Sequence, residues 1–142
     1  MAGVEPMTSD TMRTISKANP LGGNCLQLEW SDGTVAQVVL PDVPELAGVE
    51  VGDWGHSLVW PDGTEIGADS LWLDTLSAIG RGDSRLFLKW RLANGLSLAK
   101  AAEALGLARR TVAYYSNGDR PVPKTVLLAC KGWAATHRRK AA

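Results

Sequence analysis

The side chains best able to do chemistry in this sequence are cations, because the familiar catalytic sets do not form. The only histidines are His56 and His137, and neither belongs to a His-x-x-x-His or Cys-x-x-His group. Glu50, Asp53 and Asp62, the acids nearest His56, read as surface or turn residues rather than a metal set. Cys25 and Cys130 fall outside Cys-x-x-Cys spacing, so neither a zinc site nor a disulfide scaffold is expected. Cys25 starts a strand-like run and Cys130 sits beside Leu128 and Ala129, and both read as buried thiols. Glycines are numerous, yet no Gly-x-Gly-x-x-Gly or phosphate loop occurs. No enzyme, cofactor or metal is expected.

The cations are unevenly spread. The formal net charge of the 142 residues is zero. Residues 1–80 nevertheless hold two bases and twelve acids, a balance of −10, and residues 81–142 hold thirteen bases and three acids, a balance of +10. A segment that basic points to a polyanion, and the acidic one must serve something else. Two modules with two tasks are expected.

The elements that must position these charges are legible in outline. Apolar residues at 45% can build a core, and no run of about 18 apolar residues predicts a membrane span. Met1 to Asp10 lacks a basic and then apolar leader pattern and reads as a loose tail of a cytoplasmic protein. Residues 11–80 form the acidic, β-rich module and 81–142 the basic, helical one. In the first, Leu26, Leu28 and Trp30 alternate with polar residues, and Asp32-Gly33 then joins them to Thr34–Leu40. Asp-Gly between two such runs is a strong hairpin signal, since both residues accept positive φ. The frame Leu-x-Trp-x-Asp-Gly-Thr occurs at 28–34 and again at 58–64. Two copies are too few for a solenoid and predict two similar hairpins in one small antiparallel sheet, with Trp30 and Trp60 as core. Asp69 is expected to cap one helix that turns Leu71, Trp72, Leu76 and Ile79 inward. Gly80-Arg81-Gly82 then breaks the chain where the charge changes sign. The class is α+β: a small sheet domain with one helix, then about four helices.

In the basic module, Asp83 is expected to cap a helix ending at Asn94, with Phe87 and Trp90 inside and Gly95 as its stop. Ser97 caps a second helix, where Leu98, Ala101, Ala102 and Leu105 recur at i, i+3, i+4, i+7. Gly106 ends it, and a third helix runs from Arg109 to Asn117 with Val112 and Tyr115 inward and Gly118 as its close. Two short helices joined by a glycine-containing turn of three residues make a helix-turn-helix. A last helix fits over about Val122 to Ala135, followed by Arg138-Arg139-Lys140.

The stretch from Phe87 to Pro123 resembles the helix-turn-helix domain of phage repressors and Cro-like regulators, often called the XRE family. The resemblance rests on Arg91, Gly95-Leu96-Ser97, Ala101-Ala102, Leu105-Gly106-Leu107, Arg109, Thr111-Val112 and Asn117-Gly118. It implies that the third helix enters the major groove of double-stranded DNA. Arg109, Arg110, Ala113 and Tyr114 would then read bases, the arginines by their bidentate match to guanine O6 and N7. Lys100, Thr111, Asn117 and Arg120 would hold phosphates. The chain departs from the family at Ser116, which faces Arg91 where an acid is common, and at Ala108, which replaces a Ser/Thr cap.

Residues 11–76 resemble a small bacterial α+β family known only as a domain of unknown function, through Ser-Asp-Gly-Thr, Trp-Pro-Asp-Gly and Ala-Asp-Ser-Leu-Trp. Its members are often linked with toxin–antitoxin-like gene pairs. The two resemblances together imply a sequence-specific transcriptional regulator of the repressor type, a homodimer, with a toxin-like protein as a further partner and no membrane role. The alternative is a protein–protein adaptor whose acidic N-terminal domain binds a basic partner without DNA.

Overall fold

A computed structural model describes residues 13–43 and 46–141, with side chains described up to His137. The expected tail at 1–10 and the side chains of Arg138, Arg139 and Lys140 lie outside the described residues. The architecture is α+β, and the chain divides into two compact units, Met1–Ile79 and Gly80–Ala142. Among the described residues no helix is long and apolar enough to cross a membrane.

The first unit holds strands β1 (Ile15–Gly22), β2 (Cys25–Trp30), β3 (Val35–Val39), β4 (Glu50–Val51), β5 (Ser57–Val59) and β6 (Glu65–Gly67), and helix α1 (Ala68–Ala78). The strands form two antiparallel sheets, ordered β1-β2-β3 and β4-β5-β6. The repeat therefore yields two sheets, where a single one was expected. Each hairpin recruits its own third strand.

The repeated frame has a common cause. In both copies the Trp N–H donates to the Thr carbonyl, at 2.8 Å for Trp30–Thr34 and 2.9 Å for Trp60–Thr64. The Asp carboxylate accepts the Thr N–H, at 3.1 Å from Asp32 and 2.9 Å from Asp62. The glycines take φ of 95° and 94°, which an L side chain adopts only under strain. At Asp62 the Thr64 backbone N–H, and then its hydroxyl, hold the carboxyl below its ordinary value of 3.8.

Strict alternation along β2 buries Leu26, Leu28 and Trp30, and α1 buries Leu71, Trp72 and Leu76. The Trp30 indole N–H donates to Thr75 Oγ1 at 3.0 Å, and its ring meets Trp72 edge-on at 4.9 Å. Thr75, absent from the expected inward set, is fully buried, whereas Ile79 is 42% exposed because the helix ends one residue before it. Asp69 does not cap α1. The N-cap is Gly67, and the chain passes from β6 directly into the helix, leaving Asp69 in the first turn where its charge suits the helix dipole. The Ala68 N–H donates instead to the His56 carbonyl at 2.8 Å.

The second unit comprises α2 (Gly82–Ala93), α3 (Leu98–Leu105), α4 (Arg109–Asn117) and α5 (Lys124–Ala141). Its core gathers Phe87 and Trp90 of α2, Leu98, Ala101 and Ala102 of α3, Val112 and Tyr115 of α4, then Val122 and Cys130. Two boundaries differ from expectation. Asp83 lies inside α2, whose N-cap is Arg81. The last helix starts at Lys124 rather than near Val122, because Val122 is buried and the Pro123 carbonyl accepts the first helical N–H groups, from Val126 and Leu127. It also continues past Ala135, since nothing there supplies a stop.

Candidate nucleic-acid interface

The candidate interface comprises α3 and α4. Ser97 begins α3 outside helical φ/ψ, and its hydroxyl accepts the Lys100 N–H at 3.1 Å, a cap worth about 1 kcal/mol. Lys100 thereby stands exposed in the first turn. Gly106 takes φ 70°, φ/ψ of the left-handed region, and turns the chain in three residues toward α4. Leu107 then packs against the core, and its N–H returns to the Ala102 carbonyl at 2.9 Å. Ala102 is buried between these elements, where a longer side chain would push the helices apart.

Val112 and Tyr115 fix the rotation of α4 by facing inward, Val112 with no exposure, and Tyr115 with its ring edge-on to Phe87 at 5.4 Å. Arg109 and Arg110 must then point outward, and both are exposed. Ala108 precedes them as an N-cap with no side-chain hydrogen bond, and no acid stands in the first turn of α4. Two guanidinium groups therefore lie at the positive end of a helix dipole, an arrangement that favours anions.

The remaining expected contacts divide into groups. Thr111 and Asn117 are half-buried on α4. Ala113 is also half-buried, with part of its surface packed on the core, so it offers only a methyl edge outward. Tyr114 is half-buried, and the exposed Arg120 lays its guanidinium over the Tyr114 ring at 4.2 Å. That stacking holds a charge beside α4 while leaving the planar fork its donors. Arg91 and Ser116 are both buried, at 2% and 0% exposure.

A clamp that sequence reasoning missed supports the far end of α4. Arg81 donates to the Gly118 carbonyl and, at 3.0 Å, to the Arg120 carbonyl, while its Nε pairs with Asp83 at 3.3 Å. Asp83 in turn accepts the Val122 N–H at 2.7 Å. The pair thus holds residues 118–122, including the backbone that carries Arg120. Burial alone would raise the Asp83 pKa; the Val122 N–H and Arg81 outweigh it and keep the carboxyl below 3.8. Arg81 and Asp83 reach carbonyls and an N–H more than thirty residues away, and no local pattern announces those partners.

No protein-family model matches the chain, and no curated protein matches it. One solved structure is similar: the crystal structure named "Putative DNA Binding Protein", from Nitrosomonas europaea ATCC 19718. It shares 33% identity over 92% of each chain, with a TM-score of 0.62.

Proposed function

This chain belongs to the same family as the Nitrosomonas europaea protein, and from that premise we propose that it binds double-stranded DNA through α3 and α4 as a sequence-specific transcriptional regulator. The observation that carries the proposal is the outward pair Arg109 and Arg110 at the uncapped start of α4. Arginine is the side chain best fitted to guanine in the major groove. Lys100 and Arg120 flank the pair and suit phosphates. The resemblance to phage repressors and Cro-like regulators supports a repressor, and the likeness of residues 11–76 to toxin–antitoxin-linked domains supports an antitoxin as its form.

A homodimer is part of the proposal. Leu86 and Leu128 are 54% and 55% exposed on α2 and α5, and an apolar cavity of about 150 Å³ lies among Leu86, Trp90, Leu127 and Cys130. An apolar face of this kind suits a second copy, and a two-fold dimer requires inverted half-sites about one helical turn apart.

Fragments selected from genomic DNA give the operator. Arg109→Ala and Arg110→Ala then lose roughly 1–3 kcal/mol of discrimination each. Lys100→Ala weakens all sequences alike and reduces the salt slope by about one. Unchanged affinity and sequence preference in both arginine variants would reject the assignment.

A further inference from the structure

We propose that the first unit carries a binding site for an arginine side chain of a basic partner polypeptide, in the cavity beside the turn Asp53–Gly55. The cavity measures about 520 Å³, and its chemistry comes from Asp53, Trp54, His56, Ser57 and Glu65. It does not depend on the DNA-binding reading.

The character of the wall selects the occupant. Asp53 and Glu65 offer carboxylates, and Trp54 offers an aromatic ring that is 49% exposed. His56 also lines the cavity. Among the described residues no lysine or arginine lines the cavity. A set of acceptors with an aromatic face repels phosphate and suits a group that only donates. The guanidinium of arginine has five donors and no acceptor, and it stacks on indole better than an ammonium does. Among the described residues no three of His, Cys, Asp or Glu are grouped to hold a metal ion. The balance of −10 over residues 1–80 adds long-range attraction for a basic chain.

The site is also braced. Ser57 is 8% exposed and donates its hydroxyl to Glu65 Oε2 at 2.7 Å, which orients that carboxylate and leaves its other oxygen available. A Cβ on Gly52 would lie 2.5 Å from Ser57 Oγ, and a Cβ on Gly55 2.6 Å from the Ile15 carbonyl. Backbone therefore leaves no room for a side chain at Gly55, and one at Gly52 would have to displace the Ser57 hydroxyl. Between them Trp54 is held at φ 62°, a conformation unfavourable for a bulky residue. A strained and solvent-exposed tryptophan gains little for the fold, and its ring completes the arginine site.

Isothermal titration of the full chain with a blocked tri-arginine peptide tests this, with the citrulline peptide of equal length as the uncharged isostere. Trp54→Gly suits the local φ and should melt no lower than wild type, yet weaken binding about tenfold. Glu65→Gln keeps an acceptor for Ser57 and should also weaken binding about tenfold, as should Asp53→Asn. Glu29→Gln removes an equal charge outside the cavity and should change affinity less than about twofold. The proposal falls if Glu65→Gln and Asp53→Asn bind like wild type, if Glu29→Gln weakens binding as much as they do, or if the citrulline peptide binds equally well. It falls too if Trp54→Gly melts lower with its affinity intact. Should the glycine variant unfold, the two carboxylate variants decide.

Discussion

Removing the Asp83 carboxylate should loosen the segment that follows α4. The Val122 N–H donates to Asp83 Oδ2 at 2.7 Å, and Arg81 pairs with the other oxygen at 3.3 Å. A hydrogen bond to a charged group contributes about 1.5–3 kcal/mol when buried. Here the Asp83 side chain is 28% exposed, and exposed ion pairs contribute about 0–1 kcal/mol, so Asp83→Ala should cost about 1 kcal/mol. Amide exchange at Val122 reads that cost directly, because about 1 kcal/mol corresponds to roughly fivefold faster exchange. Asp83→Asn keeps an acceptor and should accelerate it only about twofold. Amides of β2 in the first unit serve as the unchanged reference.

The pH dependence has a definite sign. The folded carboxyl titrates below its ordinary 3.8, so its contribution is complete above that value and disappears as pH falls through the lower, folded value. Wild type should therefore protect Val122 at neutral pH and approach the Asp83→Asn rate only under more acidic conditions than an ordinary carboxylate requires. Equal exchange in wild type and Asp83→Ala at neutral pH would refute the clamp. So would an Asp83→Asn rate equal to that of Asp83→Ala.

Three further outcomes are expected. Gly55→Ala should cost about 2 kcal/mol or more in thermal unfolding, because its Cβ meets the Ile15 carbonyl at 2.6 Å, whereas Gly63→Ala, with open space around it, should cost only about 1 kcal/mol for its positive φ. Thr75→Val should destabilise the chain by about 1–3 kcal/mol, since it leaves the buried Trp30 indole N–H without its acceptor. A thiol reagent at mildly alkaline pH should label half-buried Cys25 ahead of Cys130, whose thiol burial pushes up to about 11; equal labelling of the folded chain would contradict that burial.

The sequence was most legible where a residue's role is decided by its neighbours in the chain. Asp-Gly-Thr dictated two turns because the Asp carboxylate and the Thr N–H lie two residues apart. Ser97, Gly106 and Gly118 marked helix ends for the same reason: a hydroxyl cap or a left-handed residue acts within one turn. The outward placement of Arg109 and Arg110 followed from the inward placement of Val112 and Tyr115, since α-helical spacing converts one into the other. Strand pairing was less legible. The frame shared by residues 28–34 and 58–64 specifies each hairpin equally well, but the third strands come from unlike segments, Ile15–Gly22 and Glu50–Val51, that carry no common pattern.

The two misplaced caps show what local reasoning omits. Asp69 and Asp83 are both good capping residues, yet neither caps its helix. A side-chain cap contributes about 1 kcal/mol, comparable to one hydrogen bond made elsewhere, so a tertiary partner can displace it. At Asp83 the Val122 N–H and Arg81 are that partner. At α1 the His56 carbonyl takes the Ala68 N–H, so an orphan donor is satisfied by backbone just before β5, without a side chain. Helix α4 is the contrasting case: Ala108 offers no cap, and the first turn contains no acid. Under the DNA-binding reading proposed above, a phosphate of the duplex would accept from the first N–H groups of α4, which no side chain caps.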